Sequence, residues 1–273
     1  MLGDEGEFIG SATQLTDADF ERAASQLTCE VAAIRAVAKV ESGGSGGFLN
    51  DRRPKILFES RWFHKLTNGR FDATNSDLST PTWVRNYKGG AGEYDRLRAA
   101  IAIDRAAALK STSWGMFQIL GANHAVAGFA DVESYVRAQC DSEAAHLDAF
   151  TSYIINRRLD DELRDRRWTD FARQYNGPGF AENRYDAKMA DAYADFARGL
   201  IVPSTADIQH ALNRHGADLE VDGRAGKDTR AAITAFQREA GLPMTGIADA
   251  GTLAALGLAA THDPVAMSAA VNA

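Results

Sequence analysis

The sharpest chemical signal in the sequence is a carboxylate at the end of an apolar helix stripe. Helical steps of about 100° place Val31, Ile34, Val37 and Ala38 on one arc. Glu41 falls within that arc, while Arg35 and Lys39 point the other way. A carboxylate there is poorly solvated and meets the negative end of the helix dipole, and both effects disfavour its ionised form. A carboxyl group that stays protonated at neutral pH can act as a general acid and protonate a leaving oxygen, as in glycosidic cleavage. Helix phase alone leaves a second reading open, that of a glutamate at a frayed helix end reaching into solvent.

Two later segments also mix polar side chains with large flat ones. Ser113-Trp114-Gly115-Met116-Phe117-Gln118-Ile119 follows one helical pattern, and Arg173-Gln174-Tyr175-Asn176-Gly177-Pro178-Gly179-Phe180 ends another with a Gly/Pro-rich turn. Either alone reads as core plus a helix cap. Their order along the chain, Glu-Ser, then Ser-x-Gly-x-x-Gln, then Tyr-Asn-Gly, is the more informative feature. Metal chemistry is not indicated, because the histidines are scattered; His210 and His215 come nearest but lack a second ligand pair at metal-binding spacing. No metal and no cofactor are expected.

The elements that must hold these groups are mostly helical. Thr16 is placed to cap a helix with acids in its first turn, and Thr28 to cap a second helix that runs through about Glu41 and stops at Gly43-Gly44. Residues 43–92 are rich in Gly, Asn, Asp, Ser and Pro around a short strand candidate, Lys55-Ile56-Leu57-Phe58. Helical patterns return over 93–109, 131–164, 168–175 and 182–199. The fold class expected is mainly α: an α-rich domain with a small β or loop lobe, then a small three-helix C-terminal domain. The expected boundaries are a first domain over 1–200, a linker over 201–204, the helical domain over 205–258 and a frayed tail over 259–273.

The C-terminal part carries an internal repeat. Asp222-Gly223-Arg224-Ala225 leads to Thr229-Arg230-Ala231-Ala232-Ile233, and Thr245-Gly246-Ile247-Ala248 leads to Thr252-Leu253-Ala254-Ala255-Leu256. In each copy a glycine turn precedes a threonine placed to cap a short helix. Such helices cannot bury themselves singly, so they should pack together with the helix over Ile208–Leu212.

The chain has 273 residues, 45% hydrophobic and 25% charged, a composition that excludes wholesale disorder and coiled coil. Its net charge of −7, without a Lys/Arg cluster, argues against nucleic acid and against bulk attraction to an anionic polymer. Cys29 and Cys140 are too few for a disulfide framework and read as reduced core thiols. No run approaches the roughly 20 apolar residues of a bilayer span, so no membrane insertion is expected. The acidic start, Met1 to Phe8, has neither a basic nor an apolar signal region, and the chain reads as made in the cytoplasm without a signal peptide.

The ordered motifs resemble the soluble lytic transglycosylase and goose-type lysozyme branch of the lysozyme superfamily. More closely, Val40-Glu41-Ser42-Gly43-Gly44, Gly47-Phe48 and Arg53-Pro54-Lys55-Ile56-Leu57-Phe58-Glu59 are similar to the phage N-acetylmuramidase endolysin family over most of residues 10–200. Gln174 stands where the transglycosylases usually carry Ala, which loosens the link to them. Ile208-Gln209, Val221-Asp222-Gly223, Thr229, Phe236-Gln237, Gly241-Leu242 and Thr252-x-x-x-Leu256 resemble the peptidoglycan-binding domains of cell-wall hydrolases.

The resemblance implies cleavage of the β-1,4 bond between N-acetylmuramic acid and N-acetylglucosamine, and hence bacterial lysis, with Glu41 as general acid. It also implies a second carboxylate, for which Glu59 is the first candidate and Asp72 and Asp77 are weaker ones. The alternative for Glu59 is a structural ion pair with Arg53 or Arg61. Ser113 and Gln118 would bind substrate or position Glu41, and Tyr175 and Asn176 would shape the floor under the sugar. Trp114 is either a sugar-stacking plane or a buried core residue. The partner implied is the peptidoglycan polymer, met by a monomer that a pore-forming holin releases from the host cytoplasm. The competing functions are a lytic transglycosylase giving anhydro ends, a zinc amidase and a non-catalytic wall-binding protein.

Overall fold

The computed structural model describes residues 6–82, 84, 86–197, 200, 201, 203, 205–221, 223, 225–258, 261 and 262. Its elements are α1 (Asp17–Leu27), α2 (Val31–Glu41), β1 (Ile56–Phe58), α3 (Ser60–Thr67), α4 (Glu93–Ile101), α5 (Arg105–Lys110), β2 (Thr112–Trp114), β3 (Ile119–Leu120), α6 (Val132–Asp141), α7 (Glu143–Arg157), α8 (Asp160–Arg164), α9 (Trp168–Tyr175) and α10 (Tyr185–Phe196). There follow β4 (Leu200–Ile201), α11 (Thr205–Arg214), α12 (Lys227–Glu239), α13 (Ala250–Ala255) and β5 (Thr261–His262). The fold is mainly α with a small sheet, as expected. Residues 1–16 and 41–153 form one compact unit, and residues 17–40 and 154–273 form another.

In the first unit the expected strand is β1, and it pairs antiparallel with β2, which in turn pairs with β3. The segment around Trp114 is therefore a hairpin. Its turn needs left-handed backbone at Gly115 (φ 72°) and Gln118 (φ 50°). Trp114 is fully buried, with its ring 5.7 Å from that of Phe8, and its indole N–H donates to the Leu109 carbonyl at 3.2 Å.

Two long helical patterns are broken by local capping. Asp104 caps α5 by accepting from Ala107 N–H at 2.9 Å, so the 93–109 helix becomes α4 and α5. Extended backbone at Ser142 and left-handed backbone at Arg158 (φ 59°) divide 131–164 into α6, α7 and α8. Helix α3 is an addition inside the irregular zone. It ends on left-handed Asn68 and Gly69, an Asn-Gly stop signal legible in the sequence.

In the second unit Thr28 does not cap α2. It takes left-handed backbone (φ 52°) just beyond α1, and its carbonyl accepts from Arg164 Nε at 3.0 Å. The C-terminal helices close over Ile208, Ala211, Leu212, Ile233, Phe236, Ala248, Leu253 and Leu256.

The repeat is real, but its threonines are not caps. Thr229 and Thr252 lie buried inside α12 and α13, while Gly226 and Asp249 occupy the cap positions. Each threonine instead receives an amide from a buried glutamine: Gln209 Nε2 to Thr229 Oγ1 at 3.1 Å, and Gln237 Nε2 to Thr252 Oγ1 at 3.0 Å. The same glutamines accept from the turn glycines, Gly223 N–H at 2.9 Å and Gly246 N–H at 3.0 Å. What repeats is thus a buried glutamine that ties a glycine turn to the next helix.

The backbone of Thr261–His262 pairs with Leu200–Ile201. Val202 and Ser204 of the expected linker, Asp222 and Arg224 of the first repeat, and the remainder of the 259–273 tail lie outside the described residues.

Candidate active site

Glu41 is the last residue of α2. Ile34, Val37 and Ala38 of its stripe are buried, and Glu41 itself is half-buried. It lines a cavity of about 290 Å³ together with Ser42, Lys55, Leu57, Gly115 and Gln118. Glu41 and the Gly-x-x-Gln turn thus line one cavity. Gln118 is fixed in that turn, because its amide donates to the Gly115 carbonyl at 2.8 Å.

The walls of this cavity rest on groups that sequence reading missed. The Lys55 ammonium donates to Ser45 Oγ at 2.6 Å and to the Gly46 carbonyl at 2.7 Å, tying the glycine loop after Glu41 to β1. Burial holds that ammonium below its ordinary pKa, partly offset by the Glu143 carboxylate. From α7, Glu143 accepts from Gly47 N–H at 2.6 Å, and His146 Nδ1 accepts from Met116 N–H at 3.2 Å. His146 Nε2 lies 2.6 Å from the Gln139 carbonyl, so the neutral ring with its proton on Nε2 satisfies both bonds. Burial lowers its pKa to about 4, against the opposing pull of Gln139 and Glu143. A Cβ at Gly47 would collide with the His146 ring, which explains the glycine there. The only signal in the sequence was an acid and a histidine three residues apart on an otherwise apolar helix face.

Glu59 follows β1 directly and precedes α3. Its neighbours are clamped: the buried Arg96 donates to the Phe58 carbonyl at 3.0 Å and to Ser60 Oγ at 2.7 Å, and buried Glu93 accepts from Phe58 N–H at 3.2 Å. Glu59 Oε1 accepts from Ser113 Oγ at 3.0 Å. Burial raises its pKa, and the Ser113 hydroxyl partly counters that. Among the described residues Glu59 forms no ion pair. Arg53 instead pairs with Asp51 at 2.6 Å, so the structural alternative for Glu59 is not what the molecule uses.

Glu59 faces a second cavity, of about 460 Å³, lined also by Arg61, Trp62, Lys65, Val84 and Tyr87. Asp72 is engaged elsewhere, accepting from Ser79 Oγ at 2.5 Å and contacting His64 Nδ1 at 2.8 Å, which hold its carboxyl below the ordinary range. Asp77 contributes its backbone carbonyl to Ser60, Asn86 and Arg96.

Trp114 is corrected. Its 0% exposure leaves no face for a sugar, and its ring belongs to the core of the first unit. Tyr175 and Asn176 end α9 in the second unit, where Tyr175 stacks on Phe171 at 5.4 Å and Asn176 N–H closes the helix on the Ala172 carbonyl at 2.9 Å. Gln174, the departure from the transglycosylase pattern, donates to Glu162 at 2.9 Å. Among the described residues no cluster of His, Cys, Asp and Glu is arranged to hold a metal ion. No helix there is long and apolar enough to cross a membrane. Cys29 and Cys140 are free and buried, as expected.

An N-acetylmuramidase family model matches residues 30–197, and a putative peptidoglycan binding domain model matches residues 202–256. The chain belongs to the N-acetylmuramidase family and carries a C-terminal peptidoglycan-binding domain. Among solved structures it is similar to the crystal structure of the Burkholderia AP3 phage endolysin, with 41% identity and a TM-score of 0.63, over 67% of this chain and 70% of that one. No curated protein matches the chain.

Proposed function

We propose that this protein is an endolysin that hydrolyses the β-1,4 bond between N-acetylmuramic acid and N-acetylglucosamine in peptidoglycan, with Glu41 as general acid, and so lyses bacteria. The observation that carries the reading is Glu41 at a helix end, lining a walled cavity with Gln118. Glu41 protonates the oxygen leaving C1 of N-acetylmuramic acid, and an oxocarbenium-like transition state develops. Glu59, held by Ser113, is the second carboxylate that stabilises this charge or activates water. Gln118 orients substrate in the cavity. The domain over 205–258 keeps the enzyme on the polymer, and a holin gives it access to the wall.

The raised pKa of Glu59 favours a second reading, because a desolvated carboxyl is also what a proton donor needs. The two assignments separate on leaving-group chemistry. An activated aryl glycoside needs no protonation, so the variant that lacks the acid keeps activity on it and loses activity on the wall. Glu41→Gln is expected to behave this way, and Glu59→Gln to fail on both substrates. The opposite pattern exchanges the roles. Mass spectrometry of fragments released from sacculi, with and without borohydride reduction, tests the reaction itself: reducible N-acetylmuramic acid ends are expected, and anhydro ends would overturn hydrolysis.

A further inference from the structure

The cavity beside Glu59 is larger than the one at Glu41 and differs from it in chemistry. Arg61 and Lys65 stand four residues apart on α3, hence on one helix face, and both are exposed. Like charges at this spacing repel, and among the described residues neither forms an ion pair. The Lys65 ammonium lies 4.5 Å from the Trp62 ring centroid, which fixes one charge at the cavity wall. The His64 ring, also in the lining, is engaged by Asp72, with Nδ1 2.8 Å from its carboxylate. The one lining carboxylate, Glu59, is bonded to Ser113. The lining also offers apolar surface, with Val84 39% and Tyr87 36% exposed, beside Thr80, Thr82 and Asn86. In a chain of net charge −7 this places two cations without an ion-pair partner beside apolar surface, against a single lining carboxylate.

We propose that this cavity is a subsite for the peptide arm of peptidoglycan, with Arg61 and Lys65 taking its carboxylates and the Trp62–Tyr87 side taking its alkyl groups. The proposal rests on the muramidase reading, since the arm hangs from the sugar whose bond is cleaved and Glu59 lines the cavity. Charge complementarity selects the peptide over the glycan: the arm carries several carboxylates, whereas neutral sugar rings would leave the two cations unmatched.

Treating sacculi with an amidase supplies both probes, the freed tetrapeptide arm and the peptide-free glycan strands, whose newly freed lactyl carboxylates are capped as methylamides to keep the strands neutral. Full-length wild type and the Arg61→Gln/Lys65→Gln double variant are compared by calorimetry with the tetrapeptide and by cleavage of both polymers. The double variant should bind the tetrapeptide about tenfold more weakly and show a KM about tenfold higher on sacculi, with little change on peptide-free strands. Failure of the wild type to bind the tetrapeptide, equal binding by the variant, or a KM rise of the same size on both polymers would each overturn the subsite. Tetrapeptide binding lost in the variant, with no cleavage of either polymer by wild type, would keep the subsite and remove the muramidase reading.

Discussion

At the scale of single residues, burial shifts two groups in opposite directions, Glu59 up and His146 down, and both make the protein sensitive to acid. Ser113 donates to Glu59 and so favours its ionised form. Ser113→Ala should therefore raise the Glu59 pKa further. Where Glu59 must be ionised, the acid limb of the pH–activity profile then moves to higher pH, and an unmoved limb would take Glu59 out of the mechanism. His146 falls from its ordinary 6.5 to about 4 because burial penalises its charged form. Between those two values the unfolded chain takes up a proton that the folded chain refuses. The stability involved is complete above 6.5 and is lost as pH falls towards 4, with a ceiling of about 3 kcal/mol. Chemical denaturation of wild type and His146→Gln at pH 7 and at pH 4.5 should show a steeper acid loss for wild type.

At the scale of elements, the cavity at Glu41 depends on two glycine-bearing segments pressed against α7. The loop through Gly46 and Gly47 is held by Lys55 and Glu143, and the hairpin turn through Gly115 and Met116 is held by His146. Gly47→Ala puts a methyl group into the His146 ring and should cost about 1–3 kcal/mol, as overpacking does. The readout is the denaturation midpoint together with activity on sacculi. A variant of unchanged stability and activity would show that the loop yields freely. The β1–α3 junction is clamped as well, because buried Glu93 and Arg96 satisfy the Phe58 N–H and carbonyl before Glu59 and Arg96 also bonds Ser60 Oγ after it.

At the scale of the whole molecule, the C-terminal domain is more than an appendage on a linker. Within the second unit, Arg230 of α12 pairs with Asp160 at 2.7 Å and with Asp161 at 3.3 Å, both on α8. Ala225 N–H donates to Asp161 at 2.7 Å, and Arg167 donates to the Gly223 carbonyl at 2.7 Å. Beside them burial, and then the Asp161 carboxylate, push Glu162 up to about 7. Removing one partner of such a buried network leaves an uncompensated charge and costs about 3–5 kcal/mol. Arg230→Ala should thus lower the melting temperature. Deleting residues 204–273 should lower it too, besides weakening retention on sacculi. A truncation that melts like wild type would show the network to be energetically idle, and unchanged retention would remove the binding role.

Helix phase, turn chemistry and motif order are local properties, and they carried the reading of the sequence a long way. They placed Glu41 on a buried stripe, β1 at Ile56–Phe58, the repeat around two glycine turns and the mainly α class. What they could not carry were partnerships between residues far apart in the chain. Thr229 and Thr252 have the right type for helix caps, yet distant partners decide their use, Gln209 for Thr229 and Gln237 for Thr252, while left-handed backbone takes Thr28 out of cap geometry. Trp114 suits a sugar platform by type, but the Phe8 ring and the Leu109 carbonyl make it core. His146, Glu143 and Arg230 acquire their roles only when buried against backbone or carboxylates 30 to 96 residues away. The physical reason is desolvation: a polar group costs little until it is buried, and only the tertiary structure decides which polar groups are buried and what meets them there.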